Sequence, residues 1–295
     1  MLPESLDFVE DAEGVIADES LHHLAQGLTR VPGVVGVMLG GSRSRGDHTT
    51  DSDVDLGLYY RPPLDVPALQ ALAQQVAGPA ARLSAPGDWG PWVDGGGWLR
   101  IEETAVDWLY RDLSRVHECW TAARAGRYTF HAQVGHPLGV PDFAYPGEVA
   151  LGIVLADPTG ELRGLQEETR SYPTELSKAL VDGLWEADFV LQIAEKAAMR
   201  GDTTYVAGCL FRAVLICAHA LHGSAERWLV NEKGAIASAA RLPGAPDRFS
   251  DRAHAALAHL GPRPHELAAA IVLAAQLLGD TAAACKLTPS PQPRG

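Results

Sequence analysis

The sequence predicts an α+β protein, in which an N-terminal domain with a mixed β-sheet and flanking helices is followed by an α-helical bundle domain. Short apolar runs of strand length, separated by glycine and proline turns, fill the first half of the chain. From about Tyr172 onward, apolar residues recur at three- and four-residue steps, the spacing of one helix face. We therefore expect a sheet-containing domain over residues 1–158, a helical domain over 159–287 and a disordered tail over 288–295.

The N-terminal half alternates helix and strand patterns. Leu21, Leu24 and Leu28 share one face of a short helix, which ends at the turn formed by Pro32 and Gly33. Strands are expected over 34–39 and 54–60 and as a glycine-broken hairpin within 92–110, and helices over 68–76 and 113–125. The glycine- and proline-rich stretch around 130–162 fits neither pattern, and we expect it to pack across the sheet before a short helix.

The C-terminal half carries helix patterns throughout. Apolar residues from 176 to 194 keep one face and predict a single helix, which ends at the Gly201-Asp202 break. Further helices are expected over 205–221, 235–240, 249–260 and 265–278. These segments together predict the helical bundle.

The composition indicates an acidic globular protein. The chain has 295 residues, of which 46% are hydrophobic and 21% charged, and its formal net charge is −13. Because the phosphates of a long polynucleotide require a basic face, this charge argues against such a partner and is compatible with a cationic one. The chain has no C-x-x-C pair and no apolar run of the about 18–20 residues that span a bilayer, so we expect a cytoplasmic protein with neither a zinc site nor a membrane partner.

Two carboxylates stand one residue apart at the start of the second predicted strand. Side chains two apart in a strand point to the same side, so Asp53 and Asp55 share a face while Val54 and Leu56 point into the core. Parallel carboxylates repel each other, and a divalent cation relieves that repulsion. Oxygen ligands favour Mg²⁺, which commonly takes phosphate oxygens as its remaining ligands. The pair therefore indicates a nucleoside triphosphate.

A glycine turn precedes the two carboxylates. Gly40 and Gly41 allow the backbone to approach a ligand closely, and Ser42 offers a hydroxyl and an amide to phosphate oxygens. Arg43 and Arg45 lie close by in the sequence and can balance phosphate charge. The turn therefore predicts a phosphate-binding segment.

A third carboxylate is needed to hold a second metal ion and to prepare an attacking hydroxyl. Asp107 is the leading candidate, because it is a lone charge in an apolar strand that lies plausibly beside the second strand in the sheet. Glu102 and Glu103, near the predicted hairpin, are weaker candidates, and Glu103 is also a candidate for contact with a substrate.

These motifs resemble the DNA polymerase β-like nucleotidyltransferase superfamily. "GGSRSRG" followed by "SDVDL" matches its pattern of Gly-Ser, about ten residues, and Asp-apolar-Asp-apolar. The chain is also similar to the small-molecule branch, which includes aminoglycoside adenylyltransferases and carries a helical domain after the catalytic one. "TAVDWLYRD" is similar to that branch's third-carboxylate strand and assigns this role to Asp107. "RWLVNEKGAIASAARLP" resembles a segment whose lysine reaches the nucleotide phosphates, which implies Lys233, and "RGD" loosely implies Asp202 as an acidic contact to the acceptor.

The resemblance implies a metal-dependent adenylyl transfer. Two Mg²⁺ ions would bridge Asp53, Asp55 and Asp107 to the triphosphate of ATP, and Asp107 would assist deprotonation of a hydroxyl on a small-molecule acceptor. The products are a nucleoside monophosphate ester and pyrophosphate. An aminoglycoside acceptor would make the protein an antibiotic-resistance enzyme.

Two other functions are compatible with the same motifs. The first is a nucleotidyltransferase of the toxin–antitoxin type that modifies a protein or RNA, against which the acidic charge and the fused helical domain argue. The second is a nucleotide-binding regulator without turnover, against which the three intact carboxylates argue. The acceptor, the choice between ATP and another nucleotide, and the oligomeric state stay open.

Overall fold

The structure, a computed structural model, describes residues 16–45 and 52–287 and forms two compact units. The first, here called the sheet unit, comprises the described residues up to Thr121 together with His131–Ser171. The second, here called the helical unit, comprises Ala122–Phe130 and the described residues from Tyr172 onward. The predicted tail over 288–295 lies outside the described residues, and the predicted boundary at 158 stays a prediction.

The sheet unit contains a mixed β-sheet. In the described part of the chain this sheet has five strands in the order β3-β4-β2-β1-β7, and β5 and β6 form a separate two-stranded sheet. β2 and β4 run parallel, whereas the other neighbours in the larger sheet are antiparallel. The strands are β1 Val34–Leu39, β2 Val54–Tyr60, β3 Gly96–Ile101, β4 Thr104–Asp112, β5 Phe130–Gln133, β6 His136–Pro141 and β7 Ile153–Ala156.

One face of the larger sheet is the core of this unit. Val54 and Leu56 are 0% exposed, as their alternation with the two aspartates predicted, and Leu24 and Leu69 from two helices belong to the same buried cluster. The helices that begin in this unit are α1 Asp18–Leu28, α2 Gly41–Arg45, α3 Val66–Ala77, α4 Leu113–Arg124, α5 Ala144–Leu151 and α6 Glu161–Thr169. The predicted α+β class with a mixed sheet and flanking helices is confirmed.

Helix α6 belongs to the sheet unit although it follows the predicted boundary. The Gln166 side chain donates hydrogen bonds to the backbone carbonyls of Val149 and Gly152, at 3.0 and 2.8 Å. A Cβ at Gly36 of β1 would lie 2.5 Å from the Leu162 side chain, so α6 packs directly on the sheet. These contacts explain why residues 159–171 group with the strands.

One detail of the sheet unit differs from the sequence prediction, and one agrees with it. The glycine run does not break the predicted hairpin within 92–110, because Gly96 begins β3 and the turn lies at Glu102 and Glu103. Glu102 has a positive φ of 50°, which is typical of such a tight turn. The stretch that fitted no pattern contains the β6 strand and helix α5, the short helix that was expected there.

The helical unit is built from long helices and confirms the helical C-terminal region. The predicted single helix over 176–194 is two helices, because the chain breaks at Gly183. A Cβ at Gly183 would lie 2.4 Å from the Tyr128 hydroxyl, so the ring occupies the space that a side chain would need. The helices are α7 Thr174–Asp182, α8 Leu184–Ala198, α9 Thr203–Ser224, α10 Ala235–Ala240, α11 Phe249–Ala258 and α12 Pro264–Leu287.

Two of these helices are long and apolar enough to cross a membrane by length and composition alone, which the sequence reading did not anticipate. They are Thr203–Ser224 and Pro264–Lys286. In the first, 67% of the apolar window is buried within the protein, and in the second 39%. The burial of the first is that of a core helix.

Candidate functional site

The glycine turn lies very close to the Asp55 carboxylate. The Gly40 amide donates a 2.8 Å hydrogen bond to the backbone carbonyl of Asp55, which joins the end of β1 to β2. Gly41 has a φ of +62°, and a Cβ there would lie 1.8 Å from Asp55 Oδ2. Glycine is therefore required at 41 for two reasons, the left-handed backbone and the close approach of the carboxylate.

Asp55 and Asp107 lie side by side on neighbouring parallel strands. Their Cα atoms are register partners between β2 and β4. Both side chains are half-buried and point to the face opposite the core, because their neighbours Val54 and Val106 are fully buried on the other face. The structure therefore brings together the two carboxylates that the sequence placed 52 positions apart.

Asp53 is exposed and lies immediately before Val54, the first residue of β2. Burial, followed by the negative charges of Asp55 and then Asp53, raises the pKa of the Asp107 carboxyl to about 6. The negative charges of Asp55 and Asp53 thus both act on Asp107.

Arg43 holds the segment that leads into Asp53. Its guanidinium donates to the Ser52 backbone carbonyl through Nη2 at 2.9 Å and Nε at 3.3 Å. This side chain therefore anchors Ser52, two residues before β2, and its predicted contact with the nucleotide phosphates stays a prediction. Ser42 is half-buried in α2, and the Arg45 side chain lies outside the described residues.

The remaining predicted contacts lie elsewhere. Glu103 in the hairpin turn is exposed and ion-paired with Arg100 at 2.6 Å. In the helical unit, Asp202 is the N-cap of α9 and accepts a hydrogen bond from the Tyr205 amide at 3.1 Å. Lys233, also in that unit, is exposed in the turn before α10. The roles of all three in binding stay predictions.

The carboxylates provide the oxygen ligands that a divalent cation prefers. Across residues 16–45 and 52–287, no group of three or more His, Cys, Asp or Glu side chains is placed to hold a metal ion. Asp53 is exposed just before β2, and the predicted three-carboxylate metal site stays a prediction. Asp55 and Asp107 are the pair that fits a cation, since their mutual repulsion is a cost that bound positive charge would remove.

The far end of the same sheet face is closed by α5. Arg111 makes a two-point salt bridge with Glu148, with Nε to Oε2 at 2.6 Å and Nη2 to Oε1 at 3.0 Å. Its guanidinium also lies 5.4 Å from the centre of the Tyr145 ring. Tyr59 and Arg111 are buried here, whereas Asp55 and Asp107, four positions earlier on each strand, are only half-buried. The sequence analysis did not identify this pair, because the partners are 37 residues apart.

The Trp98 side chain is a further residue of this face that the sequence analysis missed. Trp98 is the register partner of Asp107 between β3 and β4 and is 70% exposed. The alternation in "GGWLRI" places Trp98 opposite Leu99 and Ile101, which was a usable signal for its orientation. The register with Asp107 was not available from the sequence.

One family model matches the part of the sequence that contains the glycine turn and the Asp53–Asp55 pair. Residues 24–78 match the family model described as "Nucleotidyltransferase domain", a range that contains Gly41, Asp53 and Asp55 but ends before Asp107. No curated protein matches the chain. A solved structure, the nucleotidyltransferase-like protein from Exiguobacterium sibiricum 255-15, aligns with a TM-score of 0.44 and 12% identity over 89% of this chain and 74% of the other. The part of the chain from α1 to α3 is thus similar to a nucleotidyltransferase domain, and this match supports nucleotidyl transfer in general.

Proposed function

We propose that this protein is a Mg²⁺-dependent nucleotidyltransferase, which transfers AMP from ATP to a hydroxyl of a small molecule and releases pyrophosphate. The observation that carries the proposal is the register of Asp55 with Asp107, beside Gly41, where a Cβ would lie 1.8 Å from Asp55 Oδ2. The family match supports a nucleoside triphosphate and a divalent metal in general terms.

Each carboxylate has a defined part in the proposed reaction. Asp55 and Asp107, with Asp53, would hold the divalent ions, which when bound neutralise charge on the triphosphate and on the leaving pyrophosphate. Asp107 accepts the proton of the acceptor hydroxyl as the general base. The hydroxyl oxygen forms a bond to the α-phosphorus, and the bond to the bridging oxygen of pyrophosphate breaks.

The nucleotide contacts in this proposal come from the glycine turn. Gly41 and Ser42 bring backbone and hydroxyl groups to the phosphates. Arg43 acts by holding the Ser52 carbonyl, and so positions Asp53. If the acceptor is an aminoglycoside, the protein is a cytoplasmic antibiotic-resistance enzyme.

The test is pyrophosphate release from ATP and Mg²⁺, with and without a panel of aminoglycosides. We expect release that depends on one of these acceptors, and its loss by at least about 100-fold in Asp55→Ala and Asp53→Ala. Glu118→Gln, which removes an exposed carboxylate from α4, should leave the rate unchanged.

Other outcomes contradict the proposal. Label from ATP in protein or RNA would indicate the toxin–antitoxin type, and nucleotide binding without pyrophosphate release would indicate a regulator. Full activity in Asp55→Ala would refute the assigned role of this carboxylate.

A further inference from the structure

An exposed tryptophan extends the row of carboxylates across the sheet. Asp55, Asp107 and Trp98 are consecutive register partners on β2, β4 and β3, so their side chains lie on one face. Trp98 is 70% exposed, whereas the other large side chains of β3, Leu99 and Ile101, are buried on the core face. An indole left in solvent next to two carboxylates is unusual for a residue that only stabilises the fold.

The Trp98 indole stacks on a second indole, that of Trp89, in a loop held by hydrogen bonds. The Trp89 and Trp98 rings stack with centroids 4.3 Å apart and an interplanar angle of 11°. The Trp89 carbonyl accepts a 2.7 Å hydrogen bond from Gln133 Nε2, and Gln133 Oε1 accepts from the Trp92 and Val93 amides at 3.2 and 3.1 Å. Gln133 therefore holds the loop that carries Trp89, and the stacked pair is a pre-formed aromatic surface.

The position of this surface in the strand order indicates which substrate it meets. The glycine turn follows β1 and contacts Asp55 on β2, whereas β3 lies beyond β4 on the other side of Asp107. Donor phosphates at the glycine turn and the Trp98 ring are thus on opposite sides of Asp107, the proposed base. The aromatic surface is on the acceptor side.

The Trp98 ring favours a cation. The face of a tryptophan ring attracts cations electrostatically. Arg100, two residues along β3 on the same face, is ion-paired with Glu103 at 2.6 Å. Asp107, the register partner of Trp98, lies on the same face of the sheet.

We propose that Trp98, stacked on Trp89, binds the acceptor, and that the acceptor is a cationic, ring-bearing hydroxyl compound. This inference rests on the proposed function, because it identifies the substrate class of the same site. A ring of the acceptor lies on the Trp98 face, and its hydroxyl is thereby presented to Asp107.

The test measures binding rather than turnover. Streptomycin, kanamycin and spectinomycin serve as cationic probes and myo-inositol as a neutral one, titrated calorimetrically into the protein with Mg²⁺ and a non-hydrolysable ATP analogue. We expect at least one cationic probe to bind, with Kd raised about tenfold in Trp98→Ala, which is about 1.4 kcal/mol, and little changed in Trp98→Phe. Ile153→Ala, which removes an exposed apolar side chain from the opposite edge strand β7, should bind as the wild type does.

Three results would overturn the inference. They are no binding of any cationic probe to the wild type, unchanged binding in Trp98→Ala, and loss of affinity for the ATP analogue instead, which would make Trp98 a nucleobase contact. The two proposals fail separately. Trp98-dependent binding without pyrophosphate release would refute only the reaction, and release without dependence on Trp98 would refute only the acceptor surface.

Discussion

At the scale of single residues, Asp107 is a half-buried carboxylate that lies near other negative charges. Burial is the larger cause of its raised pKa, and Asp55 and Asp53 add to it. Since the folded-state pKa of about 6 lies above the ordinary value of 3.8, the folded state holds the proton more tightly than the unfolded chain. In the metal-free protein the ionised Asp107 therefore lowers the free energy of unfolding, and this cost develops as the pH rises from about 4 to 6.

Asp107→Asn is therefore expected to stabilise the metal-free protein at neutral pH, because it removes that charge. With EDTA present, the urea midpoint of the variant should exceed the wild-type midpoint at pH 7.5, and the difference should shrink as the pH approaches 4. Pyrophosphate release should be lost in the same variant. Equal midpoints at pH 7.5 would show that the carboxylates do not repel each other in the folded protein.

At the scale of elements, the Arg111–Glu148 bridge fastens α5 to the end of β4. Arg111 is almost fully buried and Glu148 about one-third exposed, so loss of one partner leaves a poorly solvated charge on the other. The bridge covers one end of this sheet face, whereas Asp55 and Asp107 at the other end stay partly exposed to solvent.

Arg111→Ala should lower the free energy of unfolding by about 3 kcal/mol, because it leaves the partly buried Glu148 carboxylate of α5 without this partner. The measurement is urea unfolding at pH 7.5. Arg100→Ala, which breaks the exposed pair with Glu103, is the matched control and should cost less than about 1 kcal/mol. Similar losses in both variants would refute the difference between the buried and the exposed pair.

At the scale of the whole molecule, the helical unit buries two titratable side chains in α9. Burial, with a smaller effect from the neighbouring His222, lowers the pKa of His219 to about 3. Burial also lowers the pKa of His222 to about 4. Since both folded-state pKa values lie below the ordinary 6.5, the unfolded chain binds more protons in acid, and stability present above pH 6.5 is lost as the pH falls toward 3.

Acid should therefore unfold the protein well above the pKa values of ordinary carboxylates. Between pH 7.5 and 5.0 we expect the wild type to lose about 2 kcal/mol more stability than His219→Gln, which keeps the buried volume polar but does not titrate. Urea midpoints at the two pH values give this difference directly. Parallel losses in the two proteins would mean that His219 is not held neutral in the folded state.

The sequence by itself determined those features of the site that lie within one short stretch of the chain. Strand alternation fixed the faces of Val54, Asp55 and Leu56, since it depends only on the period of two in an extended chain. The glycine turn next to a carboxylate pair was visible for the same reason, because all its parts lie within one short stretch. Helix periodicity identified the second half as helical, although it joined α7 to α8 across Gly183.

Only the tertiary structure decided which distant residues meet. The register of β2, β4 and β3 brings Asp55, Asp107 and Trp98 into one row, and a shift of one residue would turn each side chain to the opposite face. The need for glycine at 183 depends on the hydroxyl of Tyr128, 55 residues earlier, which no local pattern contains. Periodicity is a property of neighbours in the chain, whereas register and packing depend on which surfaces bury each other, and this protein's proposed chemistry depends on the latter.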